Sequence, residues 1–218
     1  PGTPEHPLAE IKLTSDFYLD RAPTTRARYE QCRSAGSCPD ASDAPLYAAL
    51  GAGDVVMGIS QAAAVAFCSW DGGFLPSEFQ WEKAARGSAP DERRSPWGDW
   101  TLVGCDYHPS MTRGCPSLTF GTAVFPMNVS PYGIRQMGAT LEYTATYYDE
   151  FYDPPRTDPP GPTAGWLGTH TLRGVIWVPS PIMGRAWYAA VRRSFVSGDA
   201  HPNATVRSTT VHSPQLDR

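Results

Sequence analysis

The chain has 218 residues, a formal net charge of −4 and 18% charged residues, a length that suits one domain or at most two small ones. Its 22 Pro, 20 Gly and 11% aromatic residues point to a folded, loop-rich domain, because the turn formers exceed the average while the aromatics supply burial that disordered chains lack. The acidic balance offers no general attraction to nucleic acid or anionic membrane, and no apolar run approaches the ~18 residues of a membrane-spanning helix.

In chain order, residues 1–10 read as an irregular arm. Ile11, Leu13, Phe17 and Leu19 alternate imperfectly and predict one or two strand pieces. A helix follows over 25–35, with Thr24 as N-cap and Gly36 as a left-handed stop. A second helix begins after Ser60, carries Ala62, Ala63, Val65, Ala66 and Trp70, and ends at Gly72-Gly73. Ser77-Glu78-Phe79-Gln80 is a capping box that opens a third, with Pro76 stiffening the approach and Gly87 closing it after Arg86. Beyond Gly87 helical periodicity is not sustained. Short strands are expected over 141–148, 170–178 and 186–193. The class is α+β, with one domain over 11–212 and a tail over 213–218; no internal repeat or linker divides it.

Five cysteines punctuate the chain. Cys32 and Cys38 bracket one short turn, Cys105 and Cys115 bracket another, and Cys68 stands alone in an alanine-rich stretch. Two local disulfides and one buried thiol is the simplest reading, and it implies an oxidising compartment, extracellular or periplasmic. Free thiols and a metal site are the alternatives, though no Cys-x-x-Cys pair occurs and no His sits at zinc-ligand spacing. The chain begins Pro1-Gly2-Thr3-Pro4, as a mature or trimmed product would. Arg far outnumbers Lys, which occurs only as Lys12 and Lys83. With the cysteine loops this looks bacterial, so the sequons Asn128-Val-Ser and Asn203-Ala-Thr carry little weight.

Other chemistry finds thin support. A Gly-x-Ser-x-Gly elbow is absent, and Gly51-Ala52-Gly53 lacks the Lys-Ser/Thr of a phosphate loop. His6, His108, His170, His201 and His212 form neither His-x-His nor His-x-x-x-His and read as loop or surface residues. Tyr143, Tyr147, Tyr148, Phe151 and Tyr152 alternate with Asp149, Glu150 and Asp153. That segment reads either as packed aromatics with solvated acids or as a binding surface for a protein or a carbohydrate.

The order of motifs then becomes specific. Phe74-Leu75-Pro76-Ser77-Glu78-Phe79-Gln80-Trp81-Glu82-Lys83-Ala84-Ala85-Arg86-Gly87 closely resembles the Leu-Pro-Thr-Glu-x-Glu-Trp-Glu-x-Ala-Ala-Arg-Gly signature of the formylglycine-generating enzyme (sulfatase-modifying factor) family. Pro96-Trp97-Gly98, Phe125-Pro126-Met127-Asn128, Tyr132-Gly133-Ile134, Asp158-Pro159-Pro160-Gly161-Pro162, Arg173-Gly174 and Val206-Arg207 resemble later segments of the family, in the same order. The resemblance implies a fold related to C-type lectins: two to three helices, a short twisted antiparallel sheet and long loops.

The departures bear on function. The resemblance implies a cysteine pair near the C-terminal end that binds copper for O₂-dependent oxidation of a substrate cysteine. The corresponding residues 177–185 contain no cysteine, and none follows Cys115; Met183 alone cannot replace a thiolate pair. The family's calcium-ligating Asn is Ala139, so calcium is left with Glu142, and one carboxylate is not a site. The family's iron-dependent relatives take their His ligands from a helical domain that this chain lacks. No catalytic or metal residue is therefore assigned. By the same resemblance Trp177, Arg185 and Trp187 fall near the family's groove, and with Tyr147, Tyr148, Phe151 and Tyr152 they form the expected partner surface. The expectation is a non-catalytic, exported domain that acts as a protein-binding or assembly subunit. The alternatives are a metal- or O₂-dependent oxidase with a different centre, and a lectin-like carbohydrate binder.

Overall fold

Helix α1 (Arg26–Ser34) is capped by Thr25, whose hydroxyl accepts from the Arg28 N–H at 3.2 Å. Thr24, the cap expected from sequence, is buried instead, and its carbonyl accepts from the Val56 N–H at 2.8 Å. Tied to that neighbouring segment, Thr24 precedes the helix rather than opening it. The computed structural model describes residues 10–42, 45–90, 93, 95–98, 126–137, 140–149, 153, 155–164, 168–174, 193–195, 204–205 and 209–211.

Three further helices follow. Helix α2 (Pro45–Ala49) is five residues long, too short to show a periodicity, and Pro at its first position suits a missing N–H. It adds a helix to the two or three expected. Helix α3 (Gln61–Trp70) is capped by Ser60, whose hydroxyl accepts from the Ala63 N–H at 3.1 Å. Helix α4 (Glu78–Arg86) closes the capping box: Ser77 Oγ accepts from the Gln80 N–H at 3.1 Å, and Gln80 Oε1 accepts from the Ser77 N–H at 2.8 Å.

Six short strands build two sheets. Strand β1 (Phe17–Leu19) pairs antiparallel with β6 (Thr209–Val211). The larger sheet has the order β4-β3-β2-β5, from β2 (Leu141–Tyr147), β3 (His170–Arg173), β4 (Arg193–Phe195) and β5 (Ala204–Thr205). Its β2–β3 and β3–β4 pairs are antiparallel, and β5 adds a short parallel pair. β3 is described to Arg173, with Gly174 after it at φ +118°; residues 175–178 of the expected strand lie outside the described residues. Most of the strand expected at 186–193 lies outside the described residues; β4 starts at Arg193. Strands β5 and β6 escape sequence reading because two or three residues carry no alternation.

Strand β2 separates two layers because side chains alternate across it. Leu141 and Tyr143 join Tyr29, Cys32, Val56, Ile59, Phe67 and Leu172 in a core against α1 and α3. Glu142 and Thr146 meet α4, through Trp81 Nε1–H to Glu142 Oε2 at 2.9 Å and Glu78 N–H to Thr146 Oγ1 at 3.0 Å. A second core of Trp81, Ala84, Ala85, Ile134 and Met137 lies beneath α4, with Phe17 and Leu19 packed on it. The Tyr143 hydroxyl donates to the Ile59 carbonyl at 2.9 Å, a bond that ties β2 to the segment before α3.

Cys32 and Cys38 are joined by a disulfide, and Cys68 is a buried thiol outside any disulfide. Cys105 and Cys115 lie outside the described residues. The bond closes a loop with a sequence separation of 6 at the end of α1. In the chain-entropy account so small a loop contributes about 2 kcal/mol. Replacing both cysteines by Ser is therefore expected to lower the unfolding free energy by that amount, read as a fall in the urea midpoint equal to that energy divided by the m-value. An unchanged midpoint would show that the turn holds itself.

Candidate functional site

Three side-chain groups stand outside the ordinary core. The first is ionic and buried. Arg173 is 1% exposed and lies opposite Glu142 in the β2–β3 register. Its guanidinium pairs with Glu82 and lies 3.9 Å from Glu78 Oε2. It also sits 5.6 Å from the Trp81 ring centroid. The signature helix and the Arg-Gly strand thus lock together through charge rather than through an open cleft. Glu142 is wholly buried and its carboxylate accepts from Trp81. Among the described residues no three His, Cys, Asp or Glu side chains converge as metal ligands.

The second group ends the β2–β3 hairpin. Tyr147 stacks on His170, with ring centroids 4.3 Å apart and planes 29° from parallel. His170 is thus a half-buried strand residue, not the loop or surface histidine expected from sequence, because β3 begins at it. Its Nδ1 has no hydrogen-bond partner among the described residues. Burial pushes the imidazole below its ordinary 6.5. The unfolded chain therefore takes up the proton first, so stability is complete above pH ~6.5 and falls as pH drops through the lowered value.

Other depressed groups act lower on the scale. The Tyr47 hydroxyl, with Arg33, holds Glu30 below its usual range, and the hydrogen bonds of Thr14 do the same for Asp158. Their stability is lost only as pH falls through those lowered carboxylate values. His170→Phe should therefore flatten the decline in thermal midpoint just below pH ~6.5 while leaving the acid limb intact. Equal slopes in that window for both proteins would refute the assignment.

The third group is a cleft of about 260 Å³ between β1 and α4. Ala84 and Ile134, both buried, lie in its lining. Tyr18 and Tyr132 also line it and are 61% and 53% exposed. Ser15, Asp16 and Lys83 supply its polar groups. Tyr132 is carried on a tight turn: the Ser130 N–H donates to the Ile134 carbonyl at 2.8 Å, and the Gly133 N–H to the Ser130 carbonyl at 2.9 Å. Gly133 sits at φ +77°, where a side chain would be strained. The Tyr132 hydroxyl lies 2.8 Å from Ser88 Oγ.

Of the residues expected at a partner surface, Tyr147 is half-buried against His170, and Tyr148 is 9% exposed. Tyr148 therefore takes the packed alternative; its N–H donates to the Thr169 carbonyl at 2.9 Å. Phe151, Tyr152, Trp177, Arg185 and Trp187 lie outside the described residues. Asn128 is fully buried, so its sequon is closed in the folded chain. Sequence reasoning passed over Tyr18 and Tyr132. The available signal was Tyr18 between the apolar Phe17 and Leu19, an outward position in an alternating strand.

The comparisons bear on this arrangement as a whole. The family model of the sulfatase-modifying factor enzyme 1-like domain matches residues 2–208. The formylglycine-generating enzyme of Mus musculus is 30% identical over 120 residues, 50% of this chain and 32% of that protein. The match thus spans about a third of that relative's length. Among solved structures, that of PvdO from Pseudomonas aeruginosa superposes with a TM-score of 0.70 at 15% identity, covering 93% of this chain and 83% of that one. That likeness concerns the fold.

Proposed function

The chain belongs to the sulfatase-modifying factor enzyme 1-like domain family, and from that premise we propose that it is a non-catalytic, exported member acting as a protein-binding or assembly subunit. One observation carries the reading: residues 177–185, where the family's copper-binding pair would stand, contain no cysteine, and none follows Cys115. Monovalent copper needs soft thiolate ligands, so the donor set present there does not fit the metal. The calcium position fares no better, since Ala139 offers no side-chain oxygen and the single carboxylate of Glu142 is not a calcium site.

What is retained is scaffold. Capping box, buried Arg173 and two cores hold the family fold, while the groups that would perform its oxidation are missing. Such a chain keeps a shaped surface without the reaction. Export is supported by the Cys32–Cys38 disulfide, since disulfides persist in oxidising compartments.

The experiment is a turnover assay with the purified protein, copper, O₂ and a cysteine-containing peptide, read by mass spectrometry. No conversion of the cysteine is expected, whereas formylglycine formation would end the non-catalytic reading. The assembly role is tested by light scattering on a native preparation. A stoichiometric complex burying at least ~1,000 Å² is expected, and a monomer in that preparation would count against it.

A further inference from the structure

The end of the β2–β3 hairpin holds a titratable group that neither the family scaffold nor the assembly reading uses. We propose that His170 is an acid-responsive latch there: when its imidazole takes up a proton, the Tyr147–His170 end of the hairpin opens while the rest of the sheet stays paired.

The surroundings of the ring suit its neutral form. His170 is half-buried and stacked on Tyr147, and its buried Nδ1 has no hydrogen-bond partner among the described residues. A neutral imidazole can leave one nitrogen as a bare acceptor. The charged ring carries a proton on both, so Nδ1 becomes a buried cationic donor with nothing to accept from it. The face of Tyr147 attracts a cation, but it does not supply that missing acceptor.

The charges of the neighbouring elements are engaged elsewhere. Across the ladder β2 presents Tyr147 to His170, while its Glu142 lies opposite Arg173 at the other end. On the far side of β3, β4 sets Arg193 against Arg173. Helix α4 likewise brings Glu78 and Glu82 to Arg173. Asp149 follows two residues after Tyr147, yet burial, not a neighbouring charge, is what lowers the imidazole.

The hairpin is built to open at this end and no further. Its register runs from Glu142–Arg173 to Tyr143–Leu172 and then breaks before Tyr147–His170, so residues 144–146 stand opposite Thr171 alone. These bulged residues are anchored to the entries of α3 and α4. The Ala145 N–H donates to the Pro76 carbonyl at 2.8 Å, Gln61 Nε2 to the Thr144 carbonyl at 3.0 Å, and the Glu78 N–H to Thr146 Oγ1 at 3.0 Å. Beyond them the end is closed by the ring stack, by the Tyr148 N–H on the Thr169 carbonyl at 2.9 Å, and by a long bond of 3.4 Å from Thr171 Oγ1 to the Tyr147 carbonyl. Further along the connection, Asp158 is fastened by the Thr14 N–H at 2.8 Å, and its own N–H donates to the Lys12 carbonyl at 2.9 Å. The Thr14 bonds hold that carboxyl below its usual range, so this fastening outlasts the latch as pH falls.

The test is native-state amide exchange of the full chain by NMR, followed downward from about pH 7.5 and corrected for the intrinsic pH dependence of exchange. Protection of the Tyr148 amide should be constant above pH ~6.5 and fall below it, by at most about tenfold per pH unit. Its exchange should be nearly insensitive to low urea, as a local opening is, whereas the Ala145 amide should show the steep dependence of a larger unfolding. His170→Phe, which keeps a ring against Tyr147 but cannot titrate, should abolish the fall at Tyr148. In the parent, which needs no substitution, the His170 ring-proton shift should titrate below pH ~6.5, and the loss of Tyr148 protection should level off where that titration is complete. The proposal is overturned if Tyr148 protection does not change with pH, if it rises on acidification, if it falls equally in His170→Phe, or if Tyr148 shares the urea dependence of Ala145.

Discussion

Arg173→Ala is expected to destabilise the domain by about 3–5 kcal/mol, the usual cost of breaking a buried ion pair from one side. Total stability for a domain of this kind is ~5–15 kcal/mol, so the variant should be partly unfolded or melt at a much lower temperature. The size of the effect follows from what is left behind. Arg173 is 1% exposed, and the Glu78 side chain near it is 4% exposed. Removing the guanidinium takes the positive charge away from that buried carboxylate, where water cannot enter to solvate it as it would at the surface.

The two glutamates should not respond alike. Glu82 is 33% exposed at its side chain, and solvent can take over its charge, so Glu82→Gln should cost well under half as much. The double variant Glu78→Gln/Arg173→Met should recover part of the loss, because it removes charge from both sides. Urea unfolding followed by tryptophan fluorescence reads all of these, since Trp81 lies within the cluster. An Arg173→Ala midpoint within error of the parent would show that the network contributes nothing net.

Gly174→Ala is expected to cost more than ~3 kcal/mol, beyond the ordinary range for overpacking. An added Cβ would stand 2.1 Å from the Thr140 carbonyl oxygen and 3.2 Å from the Leu141 Cα. These are backbone atoms at the start of β2, so no side-chain rotation relieves the clash. The residue also sits at φ +118°, where an L side chain is strained. Either β2 shifts out of register with β3 or the turn after Arg173 re-forms. Gly36, which also has positive φ but nothing within 4 Å of an added Cβ, provides the comparison. Gly36→Ala should show the conformational penalty alone. Equal losses at the two positions would remove the steric argument.

These two positions also show how far the sequence was legible. Arg173-Gly174 was visible as a motif, but nothing local says that its Arg lies opposite Glu142 or beneath α4. The capping box at Ser77 was read correctly because its two hydrogen bonds span three residues. Thr24 was misread because the hydrogen bond that displaces it comes from Val56, a segment distant in sequence. Strands β5 and β6 were missed for the same reason: two or three residues become a strand only through the partner they meet.

The candidate cleft divides in the same way. Tyr18 was legible as an outward residue in an alternating strand. Its relation to Tyr132 and Lys83 was not, since those residues come from a loop and a helix far along the chain.

The sequence by itself determined the helix starts at Ser60 and Ser77, the loop-rich α+β class, the family signature over Phe74 to Gly87, and the lack of any thiol after Cys115. Each rests on residue identity or on contacts a few residues long. Only the tertiary structure decided that Glu142 is buried against Trp81, that Tyr148 packs inward, that His170 stacks on Tyr147, and that β1 and α4 leave a cleft between them. Those outcomes depend on contacts between separate elements, as near in sequence as Tyr147 and His170 and as far as Ile59 and Tyr143, with |i−j| of 84, and such contacts carry no local signal in the chain.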